Sequence, residues 1–242
     1  MKTVWITGAS GGLGEALALK YAKEGWRVIA SARSEDALQA LAQQHAGIKP
    51  CALDVTAKQG LQARLKEYTD QVDIVIANAG TAEYVDIDAF DSTLFERQFE
   101  LNVLGVIRTI EAALPMMPSG SQIAIVSSLA TELPFTRAQA YGGSKAALDY
   151  IAKSLRTDLL SKQIDINLIK PGFIKTPLTD KNDFDMPFLI TSKDAASRVY
   201  KAILKNKAEF RFPKRMSVLL RVLSCLPDRL LSQKLASQGG VK

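Results

Sequence analysis

Two kinds of segment alternate along this chain. Short apolar runs recur at 4–6, 27–30, 51–53, 73–77, 122–126 and 166–169. Between them lie segments with amphipathic helical spacing: GEALALKYAKEG, SEDALQALAQQH, KQGLQARLKEY and AALDYIAKSLRTDLLSK. This alternation is typical of βαβ units, whose parallel strands are buried on both faces. The pattern predicts a doubly wound α/β fold with helices on both sides of a parallel sheet.

The length and charge of the chain favour a single globular unit followed by a basic tail. The chain has 242 residues, of which 47% are hydrophobic, and a formal net charge of +6. Nine basic and two acidic residues fall between Lys205 and Lys242, so the first 204 residues are close to neutral. We predict a domain over 1–205 and a basic amphipathic helical tail over 206–242, packed on the same domain or on a partner. The near-neutral main body gives no reason to expect nucleic-acid binding.

Cysteine, histidine and apolar content narrow the class of protein. Cys51 and Cys225 lie far apart without a CxxC pair, so neither a disulfide framework nor a zinc site is indicated, and a cytoplasmic location is expected. The single histidine, His45, ends an amphipathic segment, so a histidine-based triad or metal centre lacks its parts. No apolar stretch approaches the roughly 18 residues that span a bilayer, and the N-terminus has no signal-peptide pattern. The sequence predicts no metal and a soluble or peripheral protein.

A glycine-rich turn, TGASGGLG at 7–14, joins the first apolar run to the first helical segment. Glycine at such a turn lets backbone amides approach a pyrophosphate, which then lies at the positive end of the helix. The turn fits neither GxGxxG, because position 10 is serine, nor the GK[ST] ending of a P-loop. It fits TGxxxGxG, with Thr7, Gly8, Gly12 and Gly14. The alternative is a turn that serves only to reverse the chain.

The end of the second strand distinguishes the two nicotinamide cofactors. A carboxylate there binds the ribose 2′-hydroxyl of NAD, whereas an arginine accommodates the 2′-phosphate of NADP. This chain has Arg33 and no carboxylate at Ser31 or Ala32. We therefore expect Rossmann-type binding of NADP in preference to NAD. A solvated surface arginine ahead of a helix capped by Ser34 is the alternative interpretation.

The segment YGGSK places Tyr141 and Lys145 one helical turn apart on one face. A free tyrosine titrates near 10, so proton exchange at neutral pH requires about 4 kcal/mol of phenolate stabilisation. A lysine ammonium about 4 Å away supplies about that much at an effective dielectric of about 20. We expect Tyr141 to act as general acid or base with a pKa lowered by Lys145. An ordinary helix start with a solvated lysine is the alternative.

Ser128 follows a buried strand and precedes the tyrosine by 13 residues. Groups just past the carboxyl ends of parallel strands face the ligand crevice, so Ser128 and the start of the next helix are expected to meet there. Its hydroxyl would donate a hydrogen bond to the substrate oxygen where charge develops. Ser127 is expected to be structural.

Taken in order, these motifs resemble the shorter, single-domain branch of the short-chain dehydrogenases/reductases. The resemblance covers about residues 3–205 and includes the glycine turn, LDV at 53–55, NAG at 78–80, LNVLG at 101–105, Ser128, YGGSK, and PGFIKT at 171–176. Because Gly11 is also glycine, the turn equally fits TGxxGxxG of the longer epimerase/dehydratase branch. The chain is too short for that branch's extra substrate domain, and NAG argues against it.

The resemblance implies a catalytic tetrad of Asn102, Ser128, Tyr141 and Lys145, in which Asn102 anchors a water relay and Lys145 also binds the nicotinamide ribose. It implies that Asp54 contacts adenine, Asn78 lies by the adenosine ribose, and Thr176 holds the carboxamide. It also implies a homodimer or homotetramer. The expected cofactor-binding residues are Thr7, Gly8, Ser10, Gly12, Leu13, Gly14, Arg33, Asp54, Val55, Asn78, Ala79, Gly80, Tyr141, Lys145, Pro171, Gly172, Ile174 and Thr176.

The segment PLTDKNDFDMPFLIT follows the last motif, and its apolar side chains predict an apolar substrate pocket. These side chains are Phe184, Met186, Phe188 and Leu189. Ordinary loop packing is the alternative. The substrate itself is not readable from this segment.

The basic tail predicts a short amphipathic helix with Ser217, Arg221 and Ser224 on one face, broken by Pro227 and followed by a second helix, DRLLSQKLAS. One hypothesis is attachment to an anionic membrane surface. The preferred one is a helical hairpin that packs on a neighbouring subunit or closes the pocket. Equal liposome binding by full-length and tail-truncated protein would remove the membrane hypothesis.

The leading hypothesis is an NADP(H)-dependent oxidoreductase that transfers a hydride between nicotinamide and a carbonyl/alcohol pair. Two alternatives stay open. One is an epimerase-type enzyme that retains NAD, and the other is a non-catalytic dinucleotide-binding regulator, against which the intact Ser128, Tyr141 and Lys145 argue.

Overall fold

A computed structural model describes residues 1–238 of the chain. The last four residues, which include Lys242 of the basic tail, lie outside the described residues. The strands are β1 (Thr3–Thr7), β2 (Arg27–Ala32), β3 (Ile48–Ala52), β4 (Ile74–Ala77), β5 (Gln122–Val126), β6 (Asp165–Pro171), β7 (Ile174–Lys175), β8 (Ile190–Thr191) and β9 (Glu209–Phe212). The helices are α1 (Gly12–Lys23), α2 (Glu35–Gln43), α3 (Leu61–Lys66), α4 (Ser92–Phe99), α5 (Gly105–Ala113), α6 (Gln139–Asp158), α7 (Ser192–Leu204), α8 (Lys214–Leu223) and α9 (Asp228–Gln238).

Seven of these strands form one parallel sheet in the order β3-β2-β1-β4-β5-β6-β9. The order reverses between β1 and β4, which confirms the doubly wound α/β fold. A sheet of this kind binds ligands in the crevice outside the carboxyl ends of the strands at the reversal point. Strands β7 and β8 pair separately.

The core lies on both faces of the sheet because neighbouring residues of a strand point to opposite sides. Ile6 of β1 packs with Leu17 of α1 and Val199 of α7 in one buried cluster. Trp5, its neighbour, belongs to the other cluster together with Leu148 of α6. Each continuous apolar run therefore contributes alternate side chains to the two buried clusters, one on each face of the sheet.

Strand β9 lies beyond the predicted domain boundary. Its pairing with β6, from Leu168 opposite Glu209 to Pro171 opposite Phe212, makes residues 209–212 part of the main sheet. The helical part of the tail therefore begins after the strand, with α8. Residues 209–212, which the sequence analysis assigned to the tail, are a strand, and the first helix of the tail begins at Lys214.

The inner face of α8 packs against the segment that follows Ser128. Met216 and Leu220 form a small buried cluster with Leu129, Leu133 and, from α9, Leu231. Ser217, expected to share a polar face with Arg221, is instead buried. Its small side chain lies on the inner face, between Met216 and Leu220, where α8 meets the domain.

None of the helices within residues 1–238 has the length and apolar character needed to cross a membrane.

Candidate active site

Ser128 lies just past the carboxyl end of β5, where the chain leaves the sheet. It caps a short 3₁₀ turn, Leu129–Thr131, and its Oγ accepts a hydrogen bond from the Ala130 amide at 3.0 Å. A hydroxyl that accepts in this way keeps its own hydrogen for donation. Ser128 is therefore oriented by the backbone and can donate into the crevice.

Tyr141 and Lys145 lie in the first turns of α6 and face the same end of the sheet. The Lys145 side chain is buried, with only 4% of the residue exposed, and its Nζ donates to the Val126 carbonyl oxygen at 3.0 Å. The same ammonium lies 6.0 Å from the centre of the Tyr141 ring. The helix thus brings both groups next to the end of β5, beside Ser128.

The pKa of the Tyr141 phenol differs from the expectation. Burial raises it above its ordinary value, and a hydrogen-bonding contact with Ser128 acts in the opposite direction without cancelling the rise. The lowering expected from Lys145 is not found, because the Lys145 ammonium points at the Val126 carbonyl. In this arrangement the phenol keeps its proton at neutral pH.

Burial also affects Lys145. It lowers the pKa of the ammonium from 10.5 to about 8, while the Asp149 carboxylate acts to raise it. A value near 8 leaves the lysine mostly charged at neutral pH but close to its titration range.

Asn102 lies in a π-helical turn, Glu100–Leu104, inserted between α4 and α5. Its Nδ2 donates to the Thr81 carbonyl oxygen at 2.9 Å and to Ser144 Oγ at 3.0 Å, and its Oδ1 accepts from the Thr81 amide at 2.8 Å. A Cβ added at Gly80 would lie 3.0 Å from Asn102 Oδ1 and 3.3 Å from Lys145 Nζ. Asn102 and Lys145 therefore meet at the backbone of Gly80. Single π turns of this kind are frequent at functional sites.

The glycine turn lies at the carboxyl end of β1 and is tied to the end of β4. Thr7 is buried, and its Oγ1 accepts from the Asn78 and Ala79 amides at 3.1 and 3.3 Å. The Asn78 side chain donates back to the Thr7 carbonyl oxygen at 3.0 Å. Both side chains thus shape the turn from within.

The N-terminus of α1 fits a pyrophosphate. Among the described residues no side chain caps this helix, so its first amides are free to bind an anion. A Cβ at Gly11 would meet nothing within 4 Å, whereas a Cβ at Gly14 would overlap the Gly8 carbonyl oxygen and come within 2.7 Å of Asn78 Nδ2. The turn is open on its outer side and tightly packed on its inner side, as a backbone cradle requires.

We predict that Gly14→Ala lowers the free energy of unfolding by about 2 kcal/mol. Alanine in a helix is normally worth about 1 kcal/mol over glycine, but here the overlap with fixed backbone costs about 3 kcal/mol, the upper end of the usual range for overpacking. Urea unfolding of the cofactor-free protein measures the change. Gly11→Ala is the matched control and is expected to change it by at most about 0.5–1 kcal/mol. Equal stability of the two variants would contradict the prediction.

The adenosine end of the predicted site lies at the ends of β2 and β3. Burial acts to raise the pKa of Asp54, but hydrogen bonds from Thr56 and the charge of Arg33 together hold it below its ordinary value. Arg33 lies beside Asp54. Its side chain is exposed, so the guanidinium is open to solvent. Val55, the next residue, is buried against Gly105.

The opposite end of the predicted site is formed by the segment after β6. A Cβ at Gly12 would lie 3.0 Å from Thr176 Cγ2, so the glycine turn and Thr176 are in close approach. Pro171 and Ile174 are buried, and Gly172 packs against Met216 of α8. Of the remaining predicted residues, Ser10 lies in the turn after β1, Leu13 is buried in the first turn of α1, and Ala79 and Gly80 follow β4.

An aromatic group joins the segment after β4 to the segment after β6. The Phe184 ring is 5.7 Å from Tyr84 and 6.0 Å from Phe173, centre to centre. Tyr84 donates to Asn182 Oδ1 at 2.6 Å. Phe184, Phe188 and Leu189, which were expected to line the pocket, are 41–42% exposed.

Two residues near the site were missed by the sequence analysis. Burial raises the pKa of Tyr84, and the nearby phenol of Tyr141 raises it further. Asp149 lies one helical turn beyond Lys145. Its position, four residues after the lysine, was the signal that could have identified it.

This chain matches one protein family and is similar to known oxidoreductases. The family model described as "short chain dehydrogenase" matches residues 2–186. An uncharacterized oxidoreductase of Myxococcus xanthus is 36% identical over 238 residues, covering 95% of this chain and 94% of that protein. A fatty acyl-CoA reductase of Acinetobacter baylyi is 32% identical over 239 residues, covering 93% of this chain and 78% of that protein.

Two solved structures share the fold. A short-chain dehydrogenase/reductase from Burkholderia phymatum in complex with NAD has a TM-score of 0.82 at 21% identity, covering 91% of this chain and 92% of that one. A serine dehydrogenase complexed with NADP⁺ has a TM-score of 0.79 at 23% identity, covering 87% and 94%.

Proposed function

The chain belongs to the short-chain dehydrogenase family, and on that premise we propose that it is an NADP(H)-dependent oxidoreductase acting on a carbonyl/alcohol pair. The observation that supports this most is the meeting of Ser128, Tyr141 and buried Lys145 at the carboxyl end of β5. That end of the sheet is where doubly wound folds bind their ligands.

The residues of the site divide the work of carbonyl reduction. The cofactor supplies the hydride when bound. Tyr141, as a protonated phenol, delivers its proton to the carbonyl oxygen, and Ser128 donates a hydrogen bond to the same oxygen as charge develops there. The Lys145 ammonium lies 6.0 Å from the centre of the ring that then carries the negative charge. Asn102 lies beside Lys145 at Gly80 and, as the family resemblance implies, would hold the water through which protons return.

Groups around the turns would hold the cofactor. The pyrophosphate would lie at the N-terminus of α1, the adenosine by Asp54, Val55 and Asn78, and the carboxamide by Thr176. The open cradle at Gly11 supports this arrangement. The described fold relatives bind NAD in one case and NADP⁺ in the other, so the choice of NADP rests on Arg33.

We predict that Arg33→Ala lowers kcat/KM with NADPH by about 10- to 100-fold. The guanidinium is exposed and would make charge-assisted hydrogen bonds to the 2′-phosphate, worth about 1.5–3 kcal/mol. The value with NADH should change less than about threefold. Initial rates of NADPH and NADH oxidation against a panel of aldehydes and ketones measure both.

Arg198→Ala, at an exposed position of α7, is the matched control and should leave both values unchanged. A wild-type preference for NADH would overturn the role of Arg33. Purification with retained NAD, without turnover of either free cofactor, would instead favour the epimerase-type alternative.

We propose an apolar substrate. Phe184, Phe173 and Tyr84 form an aromatic wall close to Tyr141. The relative from Acinetobacter acts on a fatty acyl group, according to its name, which is consistent with an apolar site.

We further propose a cytoplasmic homodimer or homotetramer whose tail touches a membrane, in place of the packing on a neighbouring subunit or over the pocket that the sequence favours. The outer face of α8 exposes an apolar stripe, with Val218 62% and Val222 63% exposed. The exposed cations Lys214, Arg215 and Arg221 border it, and the helix carries no carboxylate. Each cation near an anionic surface is worth about 1 kcal/mol, whereas contact with the same face of a second copy would bring like charges together. Co-sedimentation with lipid vesicles distinguishes a membrane from a second copy of the chain. Binding to anionic but not to neutral vesicles supports the membrane, and binding to neither favours the second copy.

A further inference from the structure

A carboxylate that the proposed mechanism does not use lies beneath the catalytic residues. Asp149, on α6, has only 14% of its side chain exposed and accepts three hydrogen bonds. They come from Ser127 Oγ at 2.5 Å, Thr131 Oγ1 at 2.8 Å and Lys170 Nζ at 2.7 Å. These partners belong to the end of β5, the turn after it, and β6. One carboxylate therefore joins the helix that carries Tyr141 and Lys145 to three other pieces of backbone around the site.

Two of these partners, Ser127 and Thr131, lie on either side of Ser128 in the sequence. Ser127 precedes it, and Thr131 ends the 3₁₀ turn that Ser128 begins. Thr131 Oγ1 also lies 3.0 Å from the Ser128 carbonyl oxygen, and Ser127 Oγ lies 3.2 Å from the Lys145 carbonyl oxygen. Each hydroxyl has one hydrogen, so it donates either to the carboxylate or to the carbonyl. Loss of the carboxylate would leave Thr131 bonded within its own turn, which removes the bond between that turn and the helix, while Ser127 could still donate to the Lys145 carbonyl.

The cluster is also part of a chain of buried and half-buried charges. Lys170, with 5% of its side chain exposed, pairs with Asp149 and with Glu132. Glu132 in turn lies 3.4 Å from Arg211 Nε, and Arg211 pairs with Glu209 at 2.7 Å. Lys170 thus remains paired through Glu132 if the charge of Asp149 is removed. A neutral residue at 149 would leave no isolated charge at that end of the chain.

The remaining link is electrostatic and involves Lys145. Asp149 favours the charged form of that lysine against the effect of burial. The other titratable groups around the cluster are Tyr141, Lys170, Glu132, Arg211 and Glu209. Of these charged and titratable groups, Asp149 is the one that acts on the Lys145 ammonium.

We propose that Asp149 is a positioning residue of the active site: it holds the turn that carries Ser128 against the helix that carries Tyr141 and Lys145, and it places a carboxylate one helical turn from Lys145. The proposal rests on the proposed function. Asp149 acts through these neighbours and does not touch the substrate.

Asp149→Asn tests the charge with little change of shape. We expect kcat at pH 7 to fall about 10- to 100-fold with KM for NADPH within about twofold, and the alkaline limb of the kcat profile to move to lower pH. Thr131→Val removes one contact to the turn without removing charge, so it should lower kcat less and leave the limb in place. Asp158→Asn, at the exposed end of the same helix, should match the wild type. An unmoved limb in Asp149→Asn, or an unchanged kcat, overturns the proposal.

A second readout does not depend on activity. NMR titration of the Lys145 side chain, in protein labelled at lysine Cε, should give a lower pKa in Asp149→Asn than in the wild type. An unchanged pKa overturns the electrostatic part even if the protein reduces no carbonyl. If Asp149→Asn does not fold, Asp149→Glu keeps the charge and should retain the wild-type Lys145 pKa, and a fall in that variant counts against the proposal. Absence of activity in the wild type, by contrast, counts against the proposed function alone.

Discussion

Replacement of Tyr141 by phenylalanine is expected to lower kcat for carbonyl reduction by about 100- to 10,000-fold, the range for loss of a positioned general acid. The substitution removes one oxygen and keeps the ring. Burial holds the phenol in its protonated form, which is the form that donates to a carbonyl oxygen. Ser128 can still polarise that oxygen in the variant but does not supply the missing proton.

Loss of NADPH absorbance against the carbonyl panel measures this effect. NADPH affinity, followed by calorimetry, should stay within a few-fold of the wild type because the glycine turn and Arg33 are untouched. Tyr150→Phe is the matched control, since Tyr150 lies on the same helix with 77% of its surface exposed. Full activity in Tyr141→Phe would remove this residue from the mechanism, and equal loss in both variants would indicate damage to α6.

The sheet could be predicted from the sequence where its strands are buried on both faces. Six of its seven strands, all except β9, coincide with continuous apolar runs. β3 begins earlier than expected and runs through Pro50, which an edge strand tolerates because its outer side forms no ladder. The sequence of β9 is EFRF, in which charged and aromatic residues alternate, so no continuous apolar run indicates this strand. Strand β9 forms because it pairs with the edge of β6, and this long-range contact is not visible in the local sequence.

The site could be predicted only as far as local spacing carries. The four-residue interval places Tyr141 and Lys145 on one face, but it does not say where the ammonium points. That is decided by the Val126 carbonyl, 19 residues away in the chain. For the same reason the sequence did not give the partners of Asp149: Lys170 comes from another strand, and Ser127 and Thr131 lie some 20 residues before it.

The charge buried on Lys145 has an energetic consequence that separates stability from activity. A pKa lowered from 10.5 to about 8 means that burial of the charged form costs the fold about 3 kcal/mol at neutral pH. Lys145→Met removes this cost but leaves the Val126 carbonyl without its donor, which costs about 1–2 kcal/mol. The variant is therefore expected to be more stable than the wild type by about 1–2 kcal/mol at pH 7, although it should lose nearly all activity.

The advantage of Lys145→Met should disappear as the pH rises. Between about pH 8 and 10.5 the unfolded wild-type chain binds more protons at this lysine than the folded one, so wild-type stability increases through that window. The variant lacks this contribution, and near pH 10 it should be no more stable than the wild type. Urea unfolding at pH 7 and pH 10 measures both differences. Lys153→Met, at an exposed position of α6, should change stability by less than about 0.5 kcal/mol at either pH. A Lys145→Met protein that is less stable than the wild type at pH 7 would mean that Lys145 is held at no cost, and that the fold does not give up stability to keep a charge beside Tyr141.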